Sequence, residues 1–269
     1  MIPSPSLVSE LAARWSLDVG APFRHGGASW AAPVRCRSGE PLVLKVSWPH
    51  TEALHEADGL RFWAGDGTVR LVDSCSVEGT DALLLEACEP GTPLSESAAE
   101  EARDEVVAGL LRRLWREPPG RHPFRPLQGM CDGWADQFEA RYARTAPARR
   151  VDPGVARAGI TLFRELPASA SRVVLLCTDL HAGNVLAARR EPWLVIDPKP
   201  YVGDPTYDVL QHMLNCAERL AADPVGFAHR MADLTGLDRD RLRRWLFARC
   251  VQESLGPMHV PGAIERLAT

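Results

Sequence analysis

The hydrophobic and polar positions of this chain change rhythm part-way along. Over the first ninety residues apolar side chains come in short runs separated by turns, the pattern of strands. Pro41-Leu42-Val43-Leu44-Lys45-Val46-Ser47-Trp48 follows the turn residues Ser38-Gly39, and residues 30–37 lie across that turn as a hairpin partner. Residues 69–72 and 82–87 are two further strand candidates. Between these pairs Ala53, Ala57, Leu60 and Ala64 recur at three-to-four spacing, which predicts a helix over 51–64. Glu56 borders that apolar stripe, so its carboxylate is expected to be at least half-buried, with Glu52 one turn earlier as its competitor.

After Glu89-Pro90-Gly91-Thr92-Pro93 the rhythm becomes helical, and this turn-rich stretch is the expected boundary between a unit 1–88 and a unit 89–269. Ser97-Ala98-Ala99-Glu100 has the form of a capping box. The helix it opens carries Val106, Leu110, Leu111, Leu114 and Trp115 and ends before Pro118-Pro119-Gly120. Further helices are expected over 133–146, 154–165, 206–222 and 239–251, the third with Asp204 as N-cap and Pro205 at its first position. Short apolar runs at 173–177, 185–187 and 193–196 place a small β insert among them. The expected fold class is α+β, a strand-rich front and a larger helical back.

Composition narrows the function. With 269 residues, 45% of them hydrophobic and 25% charged, the chain suits one large or two modest globular domains. A net charge of −4 argues against nucleic acid as a partner, since phosphate binding needs a basic footprint. No apolar run approaches the roughly 20 residues of a membrane helix. The first fourteen residues have neither the basic leader nor the apolar core of a signal peptide, so a cytoplasmic location is expected. The 7 cysteines are scattered, without a CxxC pair, and read as reduced, mostly buried hydrophobes rather than as a zinc or disulfide framework. Lysine is the unusual residue. Only Lys45 and Lys199 occur, all other basic side chains being arginine. In that background each lysine raises the question of whether a compact point charge on a slim stem is required.

The candidate chemistry lies in Cys177-Thr178-Asp179-Leu180-His181-Ala182-Gly183-Asn184-Val185-Leu186, where an acid and an amide stand five apart in a polar loop between two apolar runs. Thirteen residues on, Val195-Ile196-Asp197-Pro198-Lys199-Pro200 supplies a second acid at a strand end. Oxygen ligands of this kind suit Mg²⁺, which takes few protein ligands and completes its shell with phosphate and water. Phosphoryl transfer needs one carboxylate for the acceptor's proton and an amide with another carboxylate for metal.

The spacing Asp179-x-x-x-x-Asn184 matches a protein-kinase catalytic loop, and Asp-Leu-His-x-Gly-Asn-Val-Leu resembles the form found in aminoglycoside phosphotransferases and related small-molecule kinases. Ile196-Asp197-Pro198-Lys199-Pro200-Tyr201-Val202-Gly203-Asp204-Pro205 with Tyr207-Asp208 is similar to the streptomycin/hydroxyurea branch in particular. Leu44-Lys45 resembles the third-strand lysine, His55-Glu56-Ala57-Asp58 the helix of its glutamate partner, and Leu83-Leu84-Leu85-Glu86 running to Pro90-Gly91-Thr92-Pro93-Leu94 the hinge.

The resemblance implies a bilobal protein-kinase-like fold with ATP and Mg²⁺ as cofactors. Asp179 would take or orient the proton of the attacking hydroxyl. Asn184 and Asp197 would hold Mg²⁺, and Lys45, paired with Glu56, would contact the α/β-phosphates. The hinge backbone from Glu86 to Cys88 would bind adenine. The implied function is antibiotic inactivation by phosphorylation of an aminocyclitol such as streptomycin. A kinase of a sugar, choline-like alcohol or secondary metabolite, or a silent nucleotide-binding relative, would share the motifs.

The sequence departs from the family at Cys177-Thr178, where His-Gly is commoner, and in the short turn Gly26-Gly27-Ala28-Ser29. His181 is expected to bond backbone rather than to catalyse, Asp208 to be structural, and Lys199 is unassigned. Polycationic acceptors would call for a carboxylate-lined site. Asp132, Asp136 and Glu139 at helical spacing read instead as a solvated face, as do Glu218 and Glu253 taken singly.

Overall fold

The computed structural model describes residues 3–23, 29–48, 54–77, 79–97 and 99–268. In chain order its elements begin with α1 (Pro5–Trp15), β1 (Asp18–Val19), β2 (Ser29–Arg35), β3 (Pro41–Ser47), α2 (Glu56–Trp63), β4 (Leu71–Val77), β5 (Thr80–Glu86) and α3 (Leu94–Ser97). There follow α4 (Glu100–Leu114), β6 (Arg125–Pro126), α5 (Leu127–Arg144), α6 (Pro153–Glu165), β7 (Val174–Leu176), β8 (Val185–Ala187), β9 (Trp193–Val195) and β10 (Tyr201–Gly203). The chain closes with α7 (Pro205–Asp208), α8 (Leu210–Leu214), α9 (Ala217–Ala222), α10 (Pro224–Thr235), α11 (Arg239–Glu253) and α12 (Ala263–Leu267).

Contacts divide the chain into two units. One comprises Met1–Ser97 with Val185–Lys199, the other Ala98–Asn184 with Pro200–Thr269. The first unit thus extends past residue 88 through the turn-rich stretch and takes a hairpin from later in the chain.

In the first unit an antiparallel sheet of order β1-β2-β3-β5-β4 carries a core on each face. Strand residues alternate between faces, and the runs Leu42-Val43-Leu44-Lys45-Val46 and Ala82-Leu83-Leu84-Leu85 are apolar almost throughout, as two covered faces require. Leu42, Leu44, Val46, Ala82 and Leu84 pack with Leu7 and Leu11 of α1. Leu83 and Leu85 turn the other way, onto Leu60 of α2 and Leu194 of β9. Lys45 pairs with Leu83 in the β3–β5 register, so its side chain is delivered to the α2 face.

α1 was not expected, although Ser4 caps it through the Leu7 N–H and Pro5 opens it. The predicted helix over 51–64 begins only at Glu56, with 51–53, Glu52 included, outside the described residues. The capping box does not form: Ala99 is the N-cap of α4 without a side-chain bond, and Ser97 Oγ donates instead to the Pro93 carbonyl.

In the second unit β7 pairs antiparallel and β6 parallel with β10. Gly203 of β10 lets α5 approach, since a Cβ there would stand 2.4 Å from that of Leu127. α11 is the central element, buried from Trp245 to Glu253. Its Trp245 meets Phe163 and Tyr207 edge-on, the three rings having centroids 5.2 to 6.5 Å apart. Asp204 caps α7 as expected, accepting from the Thr206 N–H, and also accepts from Trp245 Nε1 and Arg241 Nε. The single helix expected over 206–222 is three short ones, α7, α8 and α9. α10 follows them unpredicted, capped by Asp223. All seven cysteines are free thiols; Cys131, Cys177 and Cys250 are buried and the others partly so. Among the described residues no helix is long and apolar enough to cross a membrane.

Candidate functional site

The sequence-predicted residues fall into two groups, one in each unit. In the first unit Lys45, on the α2 face of β3, meets Glu56 at the first position of α2, where the helix dipole favours a carboxylate. Lys45 Nζ lies 2.7 Å from both Glu56 oxygens and 2.5 Å from Asp197 Oδ1. Lys45 is 7% exposed and Glu56 4%. Burial works against the Lys45 charge, but the Glu56 and Asp197 carboxylates outweigh it and hold the ammonium above its ordinary range. Burial pushes Glu56 upward, against the pull of Lys45. Asp197 itself occupies the left-handed region at φ 53, which for a non-glycine residue stores about 1–3 kcal/mol of strain. Its side chain is 39% exposed, and no described residue bonds its Oδ2. Lys199 is half-buried, and its charge acts on Glu56.

The hinge lies in the same unit. The Glu86 N–H donates to the Arg70 carbonyl, and its carboxylate accepts from the Arg70 N–H and from Arg190 Nε and Nη2. Arg190 also donates to the carbonyls of Gly65 and Thr68 and to Glu191. The Glu86 side chain is thus committed to Arg70 and Arg190. Beyond it, Gly91 and Thr92 exchange backbone bonds with Ala187 of β8. Burial raises the Cys88 thiol to about 11, so it stays neutral at physiological pH. The turn at Gly26-Gly27-Ala28 lies outside the described residues.

In the second unit the loop after β7 carries Asp179 and Asn184. Asp208, fully buried, accepts from the N–H groups of Cys177 (3.0 Å) and Thr178 (2.6 Å) and from Trp115 Nε1 (3.0 Å). It is structural, as expected, and what it holds is this loop. Thr178 sits at φ 50, an outlier for a β-branched residue. Thr178→Gly removes about 1–3 kcal/mol of strain and costs about 1 kcal/mol of chain entropy. It is therefore expected to raise Tm by about 2–4 °C without loss of activity, as thermal unfolding beside a rate assay would record.

Asn184 Nδ2 donates to the Asp179 carbonyl (3.0 Å) and lies 3.4 Å from Asp179 Oδ2, which points its own Oδ1 away from that carboxylate. Gln211 of α8 donates to Asp179 Oδ1 at 3.0 Å. His181 Nδ1 accepts from the Gly183 N–H, the backbone role expected of it. Asp132, Asp136 and Glu139 share the single Arg164 at 3.9, 2.8 and 2.9 Å, which offsets only part of their charge, and they remain largely exposed, as a solvated face would be. Glu253, expected to be solvated, is instead buried, its charge offset by Arg249, whereas Glu218 is exposed as expected.

Among the described residues no three His, Cys, Asp or Glu side chains cluster as a metal cage. Mg²⁺ does not require one, because it keeps waters and binds through one or two carboxylates plus phosphates. Each unit, taken by itself, offers an oxygen donor of the kind Mg²⁺ accepts, the Asn184 amide oxygen in the second and the Asp197 carboxylate in the first. Arg190 and Gln211 escaped the sequence reading. Each acts through a distant partner, and neither stands in a motif.

Residues 14–255 match the family model described as aminoglycoside/hydroxyurea antibiotic resistance kinase. The chain is 38% identical over 262 residues to the hydroxyurea phosphotransferase of Kitasatospora aureofaciens, covering 93% of this chain and 72% of that one. It is 35% identical over 263 residues to the streptomycin 6-kinase of Streptomyces glaucescens, covering 93% and 82%. Its fold resembles that of amicoumacin kinase hAmiN in complex with AMP-PNP, Ca²⁺ and Ami, with TM-score 0.67, 14% identity and coverage of 94% and 86%. It also resembles aminoglycoside phosphotransferase APH(3'')-Id of Streptomyces rimosus in complex with ADP and streptomycin, with TM-score 0.60, 22% identity and coverage of 95% and 99%. The fold is the protein-kinase-like one that the motifs implied.

Proposed function

We propose, for a chain that belongs to the aminoglycoside/hydroxyurea antibiotic resistance kinase family, transfer of the γ-phosphoryl group of ATP to a hydroxyl of a streptomycin-like aminocyclitol. The observation that carries this reading is the buried Lys45 ammonium, held between Glu56 and Asp197 at 2.5–2.7 Å. A point charge fixed in this way can receive phosphate oxygens without reorganising, which is where electrostatic catalysis gains most.

In the proposed reaction the acceptor oxygen forms a bond to the γ-phosphorus while the bond from that phosphorus to the β-phosphate oxygen breaks, and ADP leaves. Asp179 takes the proton of the attacking hydroxyl. Asn184 and Asp197 would hold Mg²⁺, which when bound neutralises charge developing on the phosphate oxygens. Lys45 contacts the α/β-phosphates, and the hinge backbone from Glu86 to Cys88 takes adenine. Small-molecule acceptors, not nucleic acid or membrane, are the partners of this chemistry.

A second reading has support of its own, because the hydroxyurea phosphotransferase is 38% identical. Hydroxyurea also offers a hydroxyl, and the same residues would serve it. Incubating the protein with Mg·ATP and each of streptomycin, hydroxyurea and a panel of sugars and amino alcohols, with ADP release and product mass recorded, separates the readings. Product from streptomycin supports the first, product from hydroxyurea alone the second. Turnover of neither, with nucleotide still bound, would leave a silent relative.

Lys45→Arg tests the nucleotide half of the site. The guanidinium keeps the charge but replaces a compact ammonium with a broad planar fork, in a position 7% exposed between two carboxylates. We expect kcat/KM for ATP to fall by about 10²-fold, with a smaller change in KM for the acceptor.

A further inference from the structure

Gln211 lies outside every motif, yet its side chain bonds the carboxylate of the proposed base directly. Its Nε2 donates to Asp179 Oδ1 at 3.0 Å, while Asn184 Nδ2 lies 3.4 Å from Oδ2 and 3.0 Å from the Asp179 carbonyl. One carboxylate is therefore addressed from both ends by amides, one from its own loop and one from α8.

α8 is a rigid place from which to do this. Adjacent helix positions point about 100° apart, so Gln211 and His212 face different neighbours. His212 is fully buried, with Nε2 2.9 Å from Asp104 Oδ1. The same buried carboxylate is met by Arg219 at 2.7 Å and Arg230 at 2.8 Å, which ties α8 to α4, α9 and α10. Asn215 Nδ2 caps the Gln211 carbonyl at 2.8 Å. With its backbone held on both sides, the Gln211 side chain is left to reach the loop.

We propose that Gln211 is a positioning residue for phosphotransfer: its amide fixes the Asp179 carboxylate in the orientation that receives the acceptor's proton. The inference rests on the phosphotransferase reading above. An amide suits the task because it donates one hydrogen bond without bringing a charge that would neutralise the base. A lysine or arginine at this position would pair with Asp179, and an apolar side chain would let it rotate.

Gln211→Met keeps length and bulk and removes the donor; Gln211→Asn, one methylene shorter, serves as the alternative should the methionine variant fold poorly. Either variant is expected to lower kcat by about 10- to 100-fold, the scale of a misplaced catalytic group. KM for ATP and for the acceptor should change by less than about threefold, the mark of an interaction that matters only in the transition state. Unchanged kcat, or a raised acceptor KM at constant kcat, would overturn the proposal, the latter making Gln211 a substrate contact.

Thermal unfolding supplies a readout that needs no turnover. The Tm changes of Gln211→Met and Asp179→Ala should fail to sum in the double variant, as coupled side chains do; additive changes would sink the proposal. Wild-type protein that turns over no acceptor overturns the phosphotransferase reading instead, and the unfolding cycle then still decides whether Gln211 holds Asp179.

Discussion

Asp179→Asn is expected to lower kcat for phosphotransfer by about 10²–10⁴-fold, the usual contribution of a general base, with KM for both substrates nearly unchanged. Asparagine keeps the size of the side chain and one accepting oxygen. Gln211 Nε2, 3.0 Å from Oδ1, therefore retains a partner, and the loop keeps the Asn184 bond to the Asp179 carbonyl. What disappears is the group able to take the acceptor's proton. Steady-state rates at saturating Mg·ATP, beside a melting curve showing the variant within a few degrees of wild type, measure the effect cleanly. Full activity in this variant would remove Asp179 from the mechanism and with it the reason to look for a base in this loop.

The second large effect belongs to Asp208. Burial raises its carboxyl to about 6, against the opposing pull of the Cys177 N–H, Trp115 Nε1 and the Thr178 N–H. Because the folded value lies above the ordinary 3.8, the native state binds this proton more tightly than the unfolded chain. This group's stabilising contribution is therefore present in acid and is lost as pH rises through about 6. Asp208→Ala leaves two buried donors and one half-buried donor without an acceptor, at about 1–3 kcal/mol each. Part is offset by relief of the buried charge, for a net loss of about 3–5 kcal/mol. Asp208→Asn is gentler, about 1–3 kcal/mol, since one oxygen still accepts while its NH₂ opposes a backbone donor. Its stability should lack the wild-type slope, so its deficit should be about 1 kcal/mol smaller at pH 7 than at pH 5. Denaturant unfolding at both pH values tests the sign. A deficit that grew with pH would mean that Asp208 is held ionised well below 6. Activity should fall with the loop's order, by about 10- to 100-fold.

The loop of Asp179 and Asn184 and the lysine clasp were legible as candidates in the chain because their residue types and spacings are those the proposed chemistry requires. The two lysines illustrate this. Against an arginine background Lys45 stood out, and it is the residue that fits between two carboxylates 2.5–2.7 Å away. Lys199 stood out equally, and its charge acts on Glu56. Strands β2, β3 and β5 were legible from apolar runs. Segment 206–222 was not, because its apolar spacing continues across Asn215 and Cys216, where the helix is broken by side chain–backbone bonds such as Asn215 to Gln211. The Ser97 cap failed for a similar reason, its hydroxyl finding a carbonyl behind it at Pro93 instead of an amide ahead. Arg190 and Gln211 gain their meaning from residues 104 and 32 positions away, Glu86 and Asp179, and no local pattern carries such information.

The hairpin that the first unit takes from residues 185–199 has a consequence for how the protein is made. When the ribosome has released the first ninety-seven residues, the sheet lacks Leu194 beneath one face, Arg190 at its hinge and Asp197 beside Lys45. At about 5–20 residues per second, the intervening stretch Ala98–Asn184 takes roughly 5 to 20 s to synthesise. Through that interval the nascent sheet carries an uncovered apolar patch and a lysine with one of its two carboxylates missing. The order of synthesis thus leaves one face of this sheet short of its cover until residues 185–199 arrive, transiently exposed apolar surface of the kind chaperones act on.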